Sequence, residues 1–335
     1  MFVATNPPAL AVSNEIHQAT GVAVPVADLN DPVEKDYQQL LADDDAAQAE
    51  ADQWIRENQA FAANGGGVPN AELNRRIRER FKAVSQAYEN FIAAHPGHAR
   101  ARVACGSFLN DIGDEDGAKE QWEKGIALDP QNPAVWNNLA NYFGEHGPVT
   151  NAFAYYARAI ALNPLQPVYY HNFGTTVYLF RRDAMAYFDI AEQQVFDKAL
   201  ALYNQAMQLD PDDFPLASDV AQTYYGIRPL RTNAALQAWT NALSVARDEV
   251  EREGVYLHLA RVKLAAGSLA EVRVHLDAVT NEMYAELKKR LTRNLAAREY
   301  PVVATNHPAA PPASAAGVKY GNTNELPKTI YRLDR

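Results

Sequence analysis

Eight histidines and one cysteine supply the metal-binding and nucleophilic side chains of this 335-residue chain, and their spacing is poor for either task. His95 and His98 flank Pro96 and Gly97; a metal pair can be drawn there, but the remaining histidines are scattered and a solvated turn is the expected setting. With Cys105 alone, an intramolecular disulfide, a CxxC redox pair and a thiolate zinc cluster are all excluded. Cys105 falls on an apolar stripe beside Gly106, where a small side chain suits a core. Gly65, Gly66 and Gly67 run together without the Lys-Ser/Thr pair that completes a phosphate loop. No nucleophile elbow, HExxH or GxGxxG occurs. The chain is therefore expected not to be an enzyme, and neither metal nor cofactor is implied.

The elements must then explain what the chain is for. Apolar residues make up 47% of it, with Gly and Pro gathered at particular places, a composition that suits packed helices better than disorder or a β-sandwich. A formal charge of −10 is spread over segments that also hold Lys and Arg; no basic stripe forms, and nucleic acid is not an expected partner. No run approaches the roughly 18 apolar residues that cross a bilayer. The first basic residue is Lys35, so a secretory n-region is missing. A cytoplasmic location is the default, with a periplasmic or secreted one the alternative if Met1 replaces a removed signal peptide.

Periodicity is the strongest signal. Pro96, Pro130 and Pro164 stand 34 residues apart. On the same interval Ala118, Trp122, Gly125 and Leu128 recur as Ala152, Tyr156, Ala159 and Leu162. Trp136, Leu139, Ala140 and Phe143 lie at i, i+3, i+4 and i+7, one stripe of a helix. Small Ala140 and Ala152 let two helices approach, rings fill the space around them, and Pro164 ends the hairpin. Trp136, Leu139, Ala140, Phe143, Ala152, Tyr156, Ala159 and Pro164 resemble the tetratricopeptide (TPR) repeat pattern in order and spacing. That resemblance implies an all-α fold: a right-handed α-solenoid of stacked antiparallel helix hairpins.

Units are expected at about 99–132, 133–166, 167–213, 214–250 and 253–280. The first carries Arg102 where an aromatic is expected. In the third, Ala199, Tyr203, Ala206 and Pro211 arrive 13 residues late. The inserted stretch from Asp183 to Val195 lacks Gly and Pro, and Phe188, Ala191, Val195, Ala199 and Leu202 continue one stripe. An elongated second helix follows from that pattern, with Met185, Tyr187 and Phe188 on an overhang that packs or meets a partner. Residues 31–98 are expected as an N-terminal helical cap or divergent repeat, and 281–299 as a C-terminal capping helix, since a solenoid needs a polar end. Residues 1–30 and 300–335, rich in Pro, Ala, Asn and Ser, are expected to be extended or disordered.

In TPR arrays the first helix of each unit lines the inner groove, and the resemblance carries that placement to Asn137, Asn138, Asn141 and Glu145; to His171, Asn172, Thr175 and Tyr178; and to Ser218, Gln222 and Tyr225. Asn offers both a donor and an acceptor, so a row of amides holds an extended peptide by its backbone. Asn138 and Asn172 match an asparagine ladder of the family, broken at Ala104 and Asp219. The family's carboxylate clamp needs basic residues where Val103, Asn137 and His171 stand, so binding of chaperone C-termini is disfavoured. The expected function is a protein–protein interaction scaffold that binds an extended peptide or partner helix in the groove. A structural subunit of a larger, envelope-associated assembly is the alternative.

Overall fold

A computed structural model describes residues 31–63 and 65–300. The expectations for 1–30 and, beyond Tyr300, for the C-terminal tail lie outside these residues. The described residues are helical, with no strand among them. The described residues divide into two compact units, one ending at Gln131 and the other beginning at Asn132. The boundary thus falls between the first and second repeats.

In the first unit, α1 (Pro32–Ala63) and α2 (Asn70–Ala94) precede the hairpin of α3 (Ala99–Asp111) and α4 (Glu115–Leu128). α1 starts where Asp31 Oδ1 accepts from the Val33 amide at 2.9 Å and Pro32 takes a first-turn position that needs no donor. Tyr37, Leu40, Leu41 and Ala47 of α1 pack with Val84, Tyr88 and Phe91 of α2 and with Ala104, Cys105 and Phe108 of α3. The buried Asp44 carboxylate accepts from Tyr88 Oη at 2.6 Å. Arg80 reaches from α2 to Asp43 at 2.8 Å and to Glu50 at 3.0 Å.

His98 caps α3: its Nδ1 accepts from the Ala101 amide at 3.0 Å while the ring leans on Tyr37 and Phe91. Cys105 is buried, and desolvation pushes its thiol up to about 12. Gly106 lets Trp122 approach, its indole nitrogen donating to Val103 O at 3.3 Å.

The second unit stacks α5 (Pro133–His146) on α6 (Val149–Leu162). α7 (Pro167–Leu179) follows, with a short α8 (Arg181–Phe188), and pairs with α9 (Glu192–Leu209). Next come α10 (Phe214–Thr223), α11 (Thr232–Ser244), α12 (Glu249–Ala266), α13 (Leu269–Asp277) and α14 (Ala285–Glu299). The first helices α5 and α10 start on side-chain caps: Asn132 accepts from Ala134 and Asp213 from Leu216, each at 3.0 Å, with Pro133 and Pro215 in the first turns.

The stretch 183–195 departs from the single elongated helix expected. α8 ends at Asp189, which is left-handed at φ 52°, and Ile190 and Ala191 are not helical before α9 begins. The break folds Phe188 back, with ring centroids 5.4 Å from Phe153 and 6.4 Å from Phe173. A straight overhang would carry that ring into solvent, and its burial offsets the cost of one left-handed residue. Tyr187 remains 45% exposed.

At the far end, Glu253 of α12 accepts from the amides of Thr280 and Asn281 at 2.9 and 2.7 Å and from the Thr280 hydroxyl. The Asn281 amide bond, ahead of the others, holds that carboxyl below its usual range. α14 then lays Leu291 and Leu295 against Leu257, Val272 and Leu276.

Candidate functional site

Two positions on each first helix recur at the repeat interval, and the structure joins them across neighbouring units. Asn137 of α5 and Asn172 of α7 are buried, 1% and 7% exposed, and Asn172 Nδ2 donates to Asn137 Oδ1 at 3.3 Å. One unit further on, His171 of α7 (6% exposed) meets Asp219 of α10, with Nε2 3.2 Å from Oδ2.

A second bridge runs through the paired helix. The Thr176 hydroxyl has one hydrogen to share between Tyr156 Oη at 3.3 Å and Asn172 O at 2.9 Å, and Tyr156 Oη donates to Asn141 Oδ1 at 2.6 Å. The corresponding positions in the next pair are Thr223, Tyr203 and Thr175: Thr175 Oγ1 lies 3.0 Å from Tyr203 Oη, and the Thr223 hydroxyl donates to Asp219 O at 3.0 Å. Burial raises both phenols above the usual tyrosine range despite these bonds. Tyr156 thus links the first helices of two repeats and Tyr203 is tied to α7, in surroundings where an unpaired hydroxyl would be costly.

The seam stops at α12. Trp239 occupies the position of the two tyrosines, Val262 stands where Thr176 and Thr223 stood, and the Trp239 indole nitrogen makes no hydrogen bond. An aromatic stack replaces the bridge. Trp239 and His258 lie 4.0 Å apart and 2° from parallel, Tyr225 Oη is 3.0 Å from His258 Nδ1, and Arg261 sits over the Tyr225 ring at 4.0 Å.

Desolvation, with Arg261 adding to it, depresses His258 from the ordinary 6.5 to about 4. A base depressed by folding takes up its proton first in the unfolded chain. The stability contributed by neutral His258 is therefore complete above about pH 6.5 and lost as pH falls towards 4, by on the order of 2–3 kcal/mol. Urea midpoints followed across that window are expected to fall in the wild type, and His258→Gln is expected to flatten the slope.

The residues expected to contact a ligand thus divide. Asn137, His171 and Asn172 are spent on bonds between units. Asn138, Asn141 and Thr175 are half-buried, and Gln222 is exposed, its Nε2 donating to Ser218 Oγ at 3.2 Å. Tyr178 turns its hydroxyl to the Gly226 backbone, occupying the space a Cβ there would need. Tyr225 belongs to the Trp239–His258 stack. Thr176 and Thr223 escaped the sequence reading, which took Tyr156 and Tyr203 only as ring positions of the repeat and Asp219 only as a break in the asparagine ladder. Their signal is the shared 47-residue offset of Tyr156–Tyr203 and Thr176–Thr223, the 34-residue interval lengthened by the 13-residue insertion.

No family model and no curated protein matches the chain. Solved structures do. The C-terminal part of a TPR repeat-containing protein from Cytophaga hutchinsonii superposes with a TM-score of 0.50, at 12% identity over 76% of this chain and 98% of that one. PilF of Pseudomonas aeruginosa gives 0.49 at 14% identity, over 74% of this chain and 99% of its own. MamA gives 0.42 at 23%, over 51% and 92%. At these identities the likeness concerns the fold.

Proposed function

We propose that this chain, whose fold is that of the tetratricopeptide repeat, is a non-catalytic protein-interaction scaffold. Its first helices α5, α7 and α10 present an extended peptide or partner helix with amide and hydroxyl groups from Asn138, Asn141, Thr175 and Gln222. The observation that carries this reading is the seam itself. Asn137, Asn172 and His171 spend their polar groups on neighbouring repeats, which supports a fixed spacing for the half-buried Asn138, Asn141 and Thr175 and the exposed Gln222. Asn141 gives only its oxygen to Tyr156, so its Nδ2 takes no part in the bridge. Preorganised donors and acceptors on rigid helices lose little entropy on binding. Tyr178 and Tyr225 shape the edges of the row, and the ligand is a protein segment with free backbone donors and acceptors.

Affinity capture from native lysate identifies a partner, whose binding segment is then titrated as a synthetic peptide. Asn141→Ala with Gln222→Ala is expected to weaken binding about tenfold or more, the loss of two hydrogen bonds of roughly 1 kcal/mol each. Tyr156→Phe, which cuts the seam beneath Asn141 but leaves its amide, is expected to bind nearly as well. Equal affinity for wild type and the double variant would sink the assignment.

A further inference from the structure

Thr175 stands 34 residues after Asn141, and Gln222 follows Thr175 at the lengthened interval of 47. Thr175 and Gln222 directly precede the seam threonines Thr176 and Thr223. Val262 takes the threonine's place on α12, so the residue that continues the row is Arg261. The row of Asn141, Thr175 and Gln222 thus gains a fourth member, and that member is a cation.

Arg261 is exposed, and its Cζ lies 4.0 Å from the centroid of the Tyr225 ring. A guanidinium stacked on a ring keeps its donors at its edge, where they match a carboxylate in a fork. Arg261 makes no ion pair among the described residues. The carboxylates of its own helix are bound elsewhere: Glu249 by Arg252, Glu251 by Arg247, and Glu253 by Thr280 and Asn281. Asp219 on α10 faces His171. A second arginine stands beside Tyr225. Arg228 Nη1 donates to the carbonyls of Tyr225 at 2.7 Å and Ile227 at 2.9 Å, and it too makes no ion pair among the described residues. In a chain of net charge −10, this end of the row keeps two cations that no carboxylate of the second unit neutralises.

We propose that Arg261 selects the ligand: the extended segment held by the row carries an aspartate or glutamate whose carboxylate pairs with the Arg261 guanidinium, and Arg228 adds to the attraction. The inference rests on the peptide-binding reading and gives it direction. Amide and hydroxyl groups on α5, α7 and α10 hold a backbone without discriminating its sequence, whereas a cation at the α12 end fixes where one acidic side chain must lie. The carboxylate belongs to a side chain within the segment and not to a chain terminus.

First helices spaced about 10 Å apart put Arg261 roughly 30 Å from Asn141, a span of about nine or ten extended residues. A displayed library of random peptides about twelve residues long, joined to the carrier at their C-terminal end so that no free terminus is presented, therefore tests the proposal on the full chain. Wild type is expected to enrich Asp or Glu at one position. Arg261→Gln is expected to retain peptides without that enrichment, and Arg261→Glu to enrich Lys or Arg instead, a switch that a misfolded variant cannot produce. In an enriched peptide, exchanging the acid for its amide is expected to weaken binding to wild type about five- to tenfold, between an exposed ion pair and a shielded charge-assisted hydrogen bond. The same exchange is expected to leave binding to Arg261→Gln unchanged. Wild-type pools without acidic enrichment, or equal enrichment on Arg261→Gln, overturn this inference alone when the retained peptides still lose affinity for Asn141→Ala/Gln222→Ala. Peptides indifferent to that double variant, or a library from which nothing is retained, overturn the peptide-binding reading and this inference with it.

Discussion

Trp239→Ala is expected to lower the unfolding free energy of the second unit by about 3–5 kcal/mol, the range for deleting a fully buried large aromatic. Trp239 is 0% exposed and packs with Ala217, Ala221, Ala242, Val255 and Leu259. Its stack on His258 is lost with it. It also stands at the junction where the threonine–tyrosine bridge is missing, and the polar contact there is that of Tyr225 Oη with His258 Nδ1 at 3.0 Å, itself stacked on Trp239. In a repeat array stability is a sum of unit and interface terms, and weakening one interface uncouples its neighbours. Chemical denaturation is therefore expected to broaden or split into two transitions, α5 to α9 outlasting α11 to α14. A single sharp transition, shifted by less than about 1 kcal/mol, would contradict the assignment of Trp239 as the keystone of that junction.

Three glycines are expected to respond to alanine in a set order. A Cβ at Gly106 would lie 2.5 Å from the Trp122 indole nitrogen and 3.0 Å from Ala118 O, a backbone atom that cannot step aside. A Cβ at Gly174 would lie 3.1 Å from the Tyr203 ring and 3.2 Å from Ala199 O. At Gly144 the nearest atoms are those of Thr176 at 3.7 Å, ordinary contact. Alanine favours a helix interior by roughly 0.5–1 kcal/mol over glycine, while overpacking a close contact costs about 1–3 kcal/mol. Gly106→Ala is thus expected to destabilise by about 2 kcal/mol and Gly174→Ala by less, with Gly144→Ala neutral or stabilising. Denaturant midpoints measured at constant m-value give the ranking, and a Gly106→Ala protein as stable as wild type would mean that Trp122 does not fill the hairpin as described.

The repeat itself was legible because its cause is local. A 34-residue interval of prolines, small residues and rings encodes two helices, their close approach and their ends without reference to anything distant. The exclusion of zinc–thiolate and disulfide chemistry needed only the count of one cysteine. The candidate row is a proposal that started from polar positions off the apolar stripe. What those side chains do was not. A carboxamide side chain beside a helical stripe looks the same whether it faces water, as that of Gln222 does, or a neighbouring repeat, as that of Asn172 does. The difference is set by the lateral offset between hairpins.

The helix break near Asp189 has a similar origin. Phe188, Ala191 and Val195 satisfy the period of one continuous helix, and no Gly or Pro marks an interruption. The decisive energy is the contact of Phe188 with Phe153 and Phe173, residues distant in the sequence. Periodicity, caps and helix ends are short-range quantities, so the sequence alone determined the hairpins and their order. Burial of Asn137, His171 and Asn172, the tyrosine hydrogen bonds and the folded-back insertion depend on which atoms of separate repeats come within about 3 Å, and only the tertiary structure decided them.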